Sequence, residues 1–146
     1  MSPEGLSLIG PIGLATLRQT GWLVDAVGGL TLGADPISYA ISYASALSDN
    51  PLRAFTVRKE AKAHGTGKLV EGPFSPGDRV VIVEDVITTG SSALRAVEAV
   101  RQAQGIVTGV LALVDREEGG REAIEKVGLA VVSLVRASEI VETFRT

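Results

Sequence analysis

The chain has 146 residues, 45% of them hydrophobic but only 4% aromatic, so it can bury a core built mainly from Ala, Val, Leu and Ile. A net charge of −3 gives no reason to expect nucleic acid or an anionic membrane as partner, and the lack of cysteine excludes disulfides and thiolate chemistry. No apolar run approaches the ~20 residues of a membrane span, and Met1-Ser2-Pro3-Glu4-Gly5 lacks the basic and apolar regions of a signal peptide, so a cytoplasmic enzyme or binding domain is expected.

In chain order, residues 3–20 read as a helix, with Pro3 and Glu4 in its first turn and Leu6, Ile9, Ile12, Leu14 and Leu17 along a broken apolar face. Gly10, Pro11 and Gly13 predict close packing or a kink there. Residues 22–32 read as a short strand, with Asp25 exposed at its edge or end. Thr31 to Pro36 is a loop and 37–47 a helix, with Pro36 at an early helical position. A Gly-containing loop between strand and helix is either a tight βα turn or an anion-binding loop. Residues 52–59 are the next strand. They run into a basic, non-periodic stretch holding Arg58, Lys59, Lys62, Lys68 and the single histidine, His64. The connection continues to Pro76-Gly77-Asp78, which is long for a compact domain, and such loops are often lids. Taken alone, the lysines and His64 also read as a solvated charge run.

The stretch from Arg79 to Ser92 organises the chain. Val80 to Val83 is an apolar β-branched run, expected to be a strand buried on both faces. Two acids follow, Glu84 and Asp85, which are costly at a buried strand end unless solvated or bound to something. Thr88-Thr89-Gly90-Ser91-Ser92 then leads into a helix marked by Ala93, Leu94, Val97 and Val100. Strand, turn and helix in this order can cradle a phosphate on the helix N-terminus, while the acids suit ribose hydroxyls or a hydrated divalent metal. No Walker A and no Gly-x-Gly-x-x-Gly pattern occurs. The bland alternative is an ordinary strand-to-helix turn with a Ser/Thr cap and two surface acids.

Gly105 reads as the residue ending that helix, 106–114 as a further buried strand, and Arg116 as a residue at the rim of a site formed by strand carboxyl ends. Arg116 could equally serve in a surface pair with Glu117 or in a helix cap. A short helix over 122–127 stopped by Gly128, a strand over 129–135 and a helix over 137–144 with Ser138 as N-cap complete the chain. The alternation predicts one α/β domain, 1–146, with a mainly parallel sheet flanked by helices.

The 79–92 stretch resembles the phosphoribosyl pyrophosphate (PRPP) motif of the type I phosphoribosyltransferases. Val57-Arg58-Lys59-Glu60-Ala61-Lys62-Ala63-His64-Gly65 closely resembles the mobile loop of the orotate phosphoribosyltransferases, and Asp115-Arg116 matches the pair from which that family takes a base-holding arginine. The resemblance covers nearly the whole chain. It implies a pentosyltransferase that moves ribosyl 5-phosphate from PRPP to orotate and releases pyrophosphate, a step of pyrimidine biosynthesis. It implies Lys62, His64 and Asp85 as catalytic residues. Substrate would be bound by Arg58, Lys59, Glu84, Thr88, Thr89, Gly90, Ser91, Ser92 and Arg116, with Ala34 and Asp35 in the pyrophosphate loop. Mg²⁺ would arrive with PRPP and meet Glu84 and Asp85 through water. A homodimer is implied, with loop 58–70 of one subunit reaching the other's site. Another base, or a non-catalytic PRPP- or nucleotide-sensing role, are the alternative readings. The chain departs from the family pattern twice. Family members normally begin with a further hood-forming segment, whereas Ser2-Pro3-Glu4-Gly5 matches the start of their core. Many also carry a lysine in the pyrophosphate loop, and Gly33-Ala34-Asp35-Pro36 has none.

Overall fold

The computed structural model describes residues 1–63, 67–143 and 145. In chain order the elements are α1 (Pro3–Gln19), β1 (Ala26–Leu30), α2 (Asp35–Ser45), β2 (Arg53–Val57), β3 (Val70–Glu71), β4 (Arg79–Ile87), α3 (Ser91–Gln102), β5 (Ile106–Asp115), α4 (Gly120–Glu125), β6 (Val131–Arg136) and α5 (Ala137–Thr143). The strands form one sheet in the order β3-β2-β1-β4-β5-β6. All neighbours are parallel except β2 and β3, which pair antiparallel. Helices cover both faces, as an α/β sheet of this kind requires.

β4 is apolar on both sides because both its faces are covered. Val80 and Ile82 pack with Ala93, Ala96, Val97 and Val100 of α3. Val81 and Val83, one residue out of phase, pack with Leu14 and Leu17 of α1 and Ile37 and Ile41 of α2. Each such buried aliphatic side chain contributes roughly 1.5–3 kcal/mol. α1 approaches α2 through glycine: a Cβ on Gly10 would sit 2.6 Å from the Ala40 carbonyl oxygen. Close packing is thus the reason for that glycine. No helix among the described residues is long and apolar enough to cross a membrane.

Several boundaries differ from expectation for identifiable reasons. β1 starts at Ala26, since Trp22 leaves the strand to pack its ring on Gly109 of β5. Asp25 is not a free edge residue. It binds Arg79 bidentately, at 2.9 Å to Nε and 2.8 Å to Nη2, and Arg79 holds its carboxyl down at about 2. Gly105 does not terminate α3 by a left-handed turn; Gln104 takes that conformation, with φ 64°. A Cβ on Gly105 would lie 2.8 Å from the Phe74 ring, so packing is the constraint there. Ser138 is not an N-cap, because it lies inside α5 and its amide and hydroxyl both donate to Glu117. β3 was not expected at all.

Candidate active site

The two central strands send their chains in opposite directions. β1 continues toward β2, β4 toward β5, and the diverging loops leave a crevice at the strand carboxyl ends. Glu84 and Asp85 lie here, still within β4, and alternation sends them to opposite faces. Glu84 is 5% exposed. Burial, and then the neighbouring Asp85 charge, push its carboxyl up to about 7. Asp85 is exposed. One of its oxygens accepts the Val86 amide at 2.7 Å. The loop from β1 comes directly onto it: a Cβ on Gly33 would sit 3.0 Å from the Asp85 carboxyl carbon.

That β1 loop gives its aspartate a definite job. Thr31 Oγ1 donates to Asp35 at 2.6 Å and Thr56 Oγ1 donates to its other oxygen at 3.0 Å. Thr56 is on β2, so the carboxylate is drawn to the side of β1 away from β4, in the first turn of α2 where negative charge is favoured. Ala34 is fully buried, and its amide donates to Leu30 while that of Asp35 donates to Leu32. Among the described residues the Leu32 and Gly33 amides have no acceptor, so the loop's open donors lie just before Ala34 and Asp35.

After β4 the chain turns sharply at Gly90, whose φ of 81° needs glycine, and enters α3. Gly90 supplies no capping side chain to the first turn. Thr89 Oγ1 lies 3.2 Å from Ser91 Oγ and accepts the Ser91 amide at 3.4 Å. Thr89 and Ser91 are exposed, Thr88 and Ser92 half-buried. The next amides, of Ser92 and Ala93, have no acceptor among the described residues, and such helix amides ringed by hydroxyls can hold a phosphate.

The basic stretch is tethered by charges that the sequence did not single out. Lys62 Nζ is 2.9 Å and Arg58 Nη1 3.5 Å from Glu71 of β3. The Lys62 hydrogen bond, first of all, lowers the Glu71 carboxyl. Lys59 is held through its carbonyl, which accepts from Arg95 of α3 at 2.8 Å. His64 lies outside the described residues. Arg116 projects outward and pairs with Glu118 at 2.7 Å, not with Glu117. Its amide donates to Ile87 at 3.0 Å, which fixes the start of its loop beside β4. The described residues contain no group of three or more His, Asp or Glu able to hold a metal by themselves.

No family model matches the chain. It is 53% identical to the orotate phosphoribosyltransferase of Aquifex aeolicus over 138 residues, covering 94% of this chain and 74% of that protein. It is 47% identical to the orotate phosphoribosyltransferase of Synechocystis over 143 residues, covering 97% and 71%. The chain belongs to the orotate phosphoribosyltransferase family. The fold agrees: the Mycobacterium tuberculosis orotate phosphoribosyltransferase in complex with PRPP superposes with a TM-score of 0.78 at 43% identity, over 92% of this chain and 74% of that one. The chain thus spans about three quarters of the length of these orotate phosphoribosyltransferases.

The sequence did not show the partners that hold the basic stretch. Glu71 and Arg95 stand alone in apolar surroundings in the sequence. Only the hairpin of β2 and β3 carries Glu71 to the basic stretch.

Proposed function

We propose that this chain transfers the ribosyl 5-phosphate group of PRPP to N1 of orotate, giving orotidine 5′-monophosphate and pyrophosphate, as a single phosphoribosyltransferase core over 1–146. The observation that carries this is the crevice itself: exposed Asp85 against Gly33 on one side, the uncapped start of α3 on the other. It matches a sugar diol and a 5-phosphate at the two ends of one ligand.

In this reading Thr89, Gly90, Ser91 and Ser92 bind the 5-phosphate through amides and hydroxyls, and Thr88 reaches toward the base. Glu84 and Asp85 meet the ribose hydroxyls. Pyrophosphate lies on the β1 loop beside Ala34 and Asp35, and Arg116 holds the orotate carboxylate through its planar fork. Bond cleavage at the anomeric carbon leaves an oxocarbenium-like sugar and a leaving group that gains charge. Cations stabilise that charge best when they meet it only in the transition state. Arg58, Lys59, Lys62 and His64 are assigned this work, closing over pyrophosphate and excluding water. The exposed Asp85 oxygens suit water-mediated contact with Mg²⁺ brought in by PRPP, which would supply positive charge to the pyrophosphate oxygens.

We further propose a homodimer in which loop 58–70 reaches the partner's site, in a cytoplasmic setting. Exposed Leu8 and Ile12 on α1, with Tyr43 on α2 and Leu47 just beyond its end, support a covered outward face. A monomer by light scattering would remove the shared-site arrangement. The activity is tested by mixing the protein with PRPP, Mg²⁺ and orotate and following loss of orotate absorbance. Turnover with another base but not orotate would overturn the substrate assignment.

A further inference from the structure

A buried ion pair lies beneath the loop that carries Arg116. Asp115, 1% exposed, ends β5 between Ile87 of β4 and Arg136 of β6. One carboxylate oxygen accepts Arg121 Nε at 2.8 Å and the other accepts the Glu117 amide at 2.9 Å. Arg121 uses its remaining nitrogens on β6, donating to the Val131 carbonyl at 2.6 Å and to Ser133 Oγ at 3.1 Å. A guanidinium can satisfy three acceptors in three fixed directions, which an ammonium on a flexible stem cannot do. Asp115 and Arg121 thereby join the end of β5, the loop, α4 and β6.

The loop between them has little freedom. Its first amide is on Ile87 and its second is on Asp115. The Glu117 carboxylate accepts from Ser138 at the start of α5, and Glu117 itself takes a φ of 60°. That conformation is disfavoured for a side chain of this kind and persists only where the surroundings hold it.

Arg121 follows directly on the point where this assembly touches the phosphate loop. A Cβ on Gly120 would lie 2.5 Å from the Thr88 carbonyl oxygen and 2.7 Å from the Gly90 nitrogen. In the other direction, a Cβ on Gly90 would lie 2.8 Å from the Gly120 carbonyl oxygen. The two backbones meet with no side chain between them, so a shift of one is a shift of the other.

We propose that Arg121 is a positioning residue: through Asp115 and the Gly120–Gly90 contact it fixes the phosphate-binding loop relative to the base-reading Arg116. This rests on the roles given above to Arg116 and to the loop from Thr88 to Ser92. Arg121 itself touches no substrate. It sets the spacing between the two ends of a nucleotide, so its loss weakens recognition at both.

The test is steady-state kinetics with PRPP and orotate varied in turn, on Arg121→Gln, Arg121→Lys and Gly120→Ala, with exposed Glu122→Gln as control. Thermal unfolding is followed in parallel and kinetics are run well below every midpoint. Arg121→Gln is expected to raise KM for both substrates by about tenfold, the size of a lost buried charge-assisted bond. Arg121→Lys is expected not to restore them, since it keeps charge and loses the fork. Gly120→Ala is expected to raise KM for PRPP with the ion pair intact. Unchanged KM values in all three variants, with only the melting midpoint lowered, would overturn the proposal and leave the pair a structural staple. Should Arg121→Gln fail to fold, the other two variants decide. Should the parent protein turn over no orotate, the functional reading fails separately, and calorimetric titration of PRPP into parent and Gly120→Ala still reads the seat of the phosphate loop: equal affinity rejects it, weaker binding supports it.

Discussion

The start of α3, the proposed phosphate end of the crevice, and the basic stretch after β2 are built on different principles. At the phosphate end the backbone turns at Gly90, rests on Gly120, and is backed by buried Ile87 and Ala93. A shift of Gly90 there presses on the backbone of Gly120. The basic stretch is held by exposed charge: Lys62 is 52% exposed in its pairing with Glu71, and Arg58 40%. Pairs of this kind are weak and easily exchanged. In the proposed mechanism the difference separates two tasks. Ground-state recognition needs geometry fixed in advance, whereas cations that act in the transition state must be able to leave one carboxylate for a pyrophosphate.

Breaking the side held by exposed charge is expected to have the largest effect. Lys62→Ala lowers kcat by about 10²–10³-fold, as removal of one charge-stabilising donor does, with little change in KM for PRPP. An unchanged kcat with altered KM would show that Lys62 acts only in binding.

The fixed side carries its own cost in Glu84. Its folded-state pKa, raised to about 7, lies above the ordinary 4.5. Between these values the folded protein keeps a proton that the unfolded chain has lost. Stability therefore falls as pH rises from about 4.5 to about 7, by ~3 kcal/mol in total, and this group contributes no further change above that. Denaturant titrations of the parent and Glu84→Gln check this: the variant loses that slope, and a parent whose stability rises over the window contradicts it.

A smaller effect is expected for Asp85→Asn, which weakens PRPP binding by about tenfold to a hundredfold through loss of a charged acceptor. Equal PRPP titrations would remove Asp85 from the site. The smallest and most discriminating change is Glu71→Gln. Releasing Lys62 and Arg58 should raise kcat by about twofold to fivefold, and the gain should shrink as salt is added. A lowered kcat would mean that Glu71 orders the loop for closure.

The sequence showed most clearly what repeats or clusters. The β-branched run of β4, its two acids and the hydroxyl loop were all visible, because a buried strand and a phosphate cradle each impose a local pattern. β3 was invisible, since two residues have no period, and with it went the partner of the basic loop. The partner of Asp35 was equally hidden, because Thr56, which donates to its carboxylate from β2, lies 21 residues away. Ser138 looked like a cap because it stands at a helix start; its real partner, Glu117, also lies 21 residues away. Each miss is a contact made by the fold between distant residues of ordinary type.

The small β3 also finishes the sheet. Without it, β2 would leave a row of backbone amides and carbonyls open to another chain, a template for aggregation. Two antiparallel residues, Thr56 opposite Glu71 and Val57 opposite Val70, cover the end of that row and are too short to extend it. The segment that brings the cations to the crevice thus returns as the hem of the sheet, so lengthening the loop would not expose the edge as long as its last residues still come home to β2.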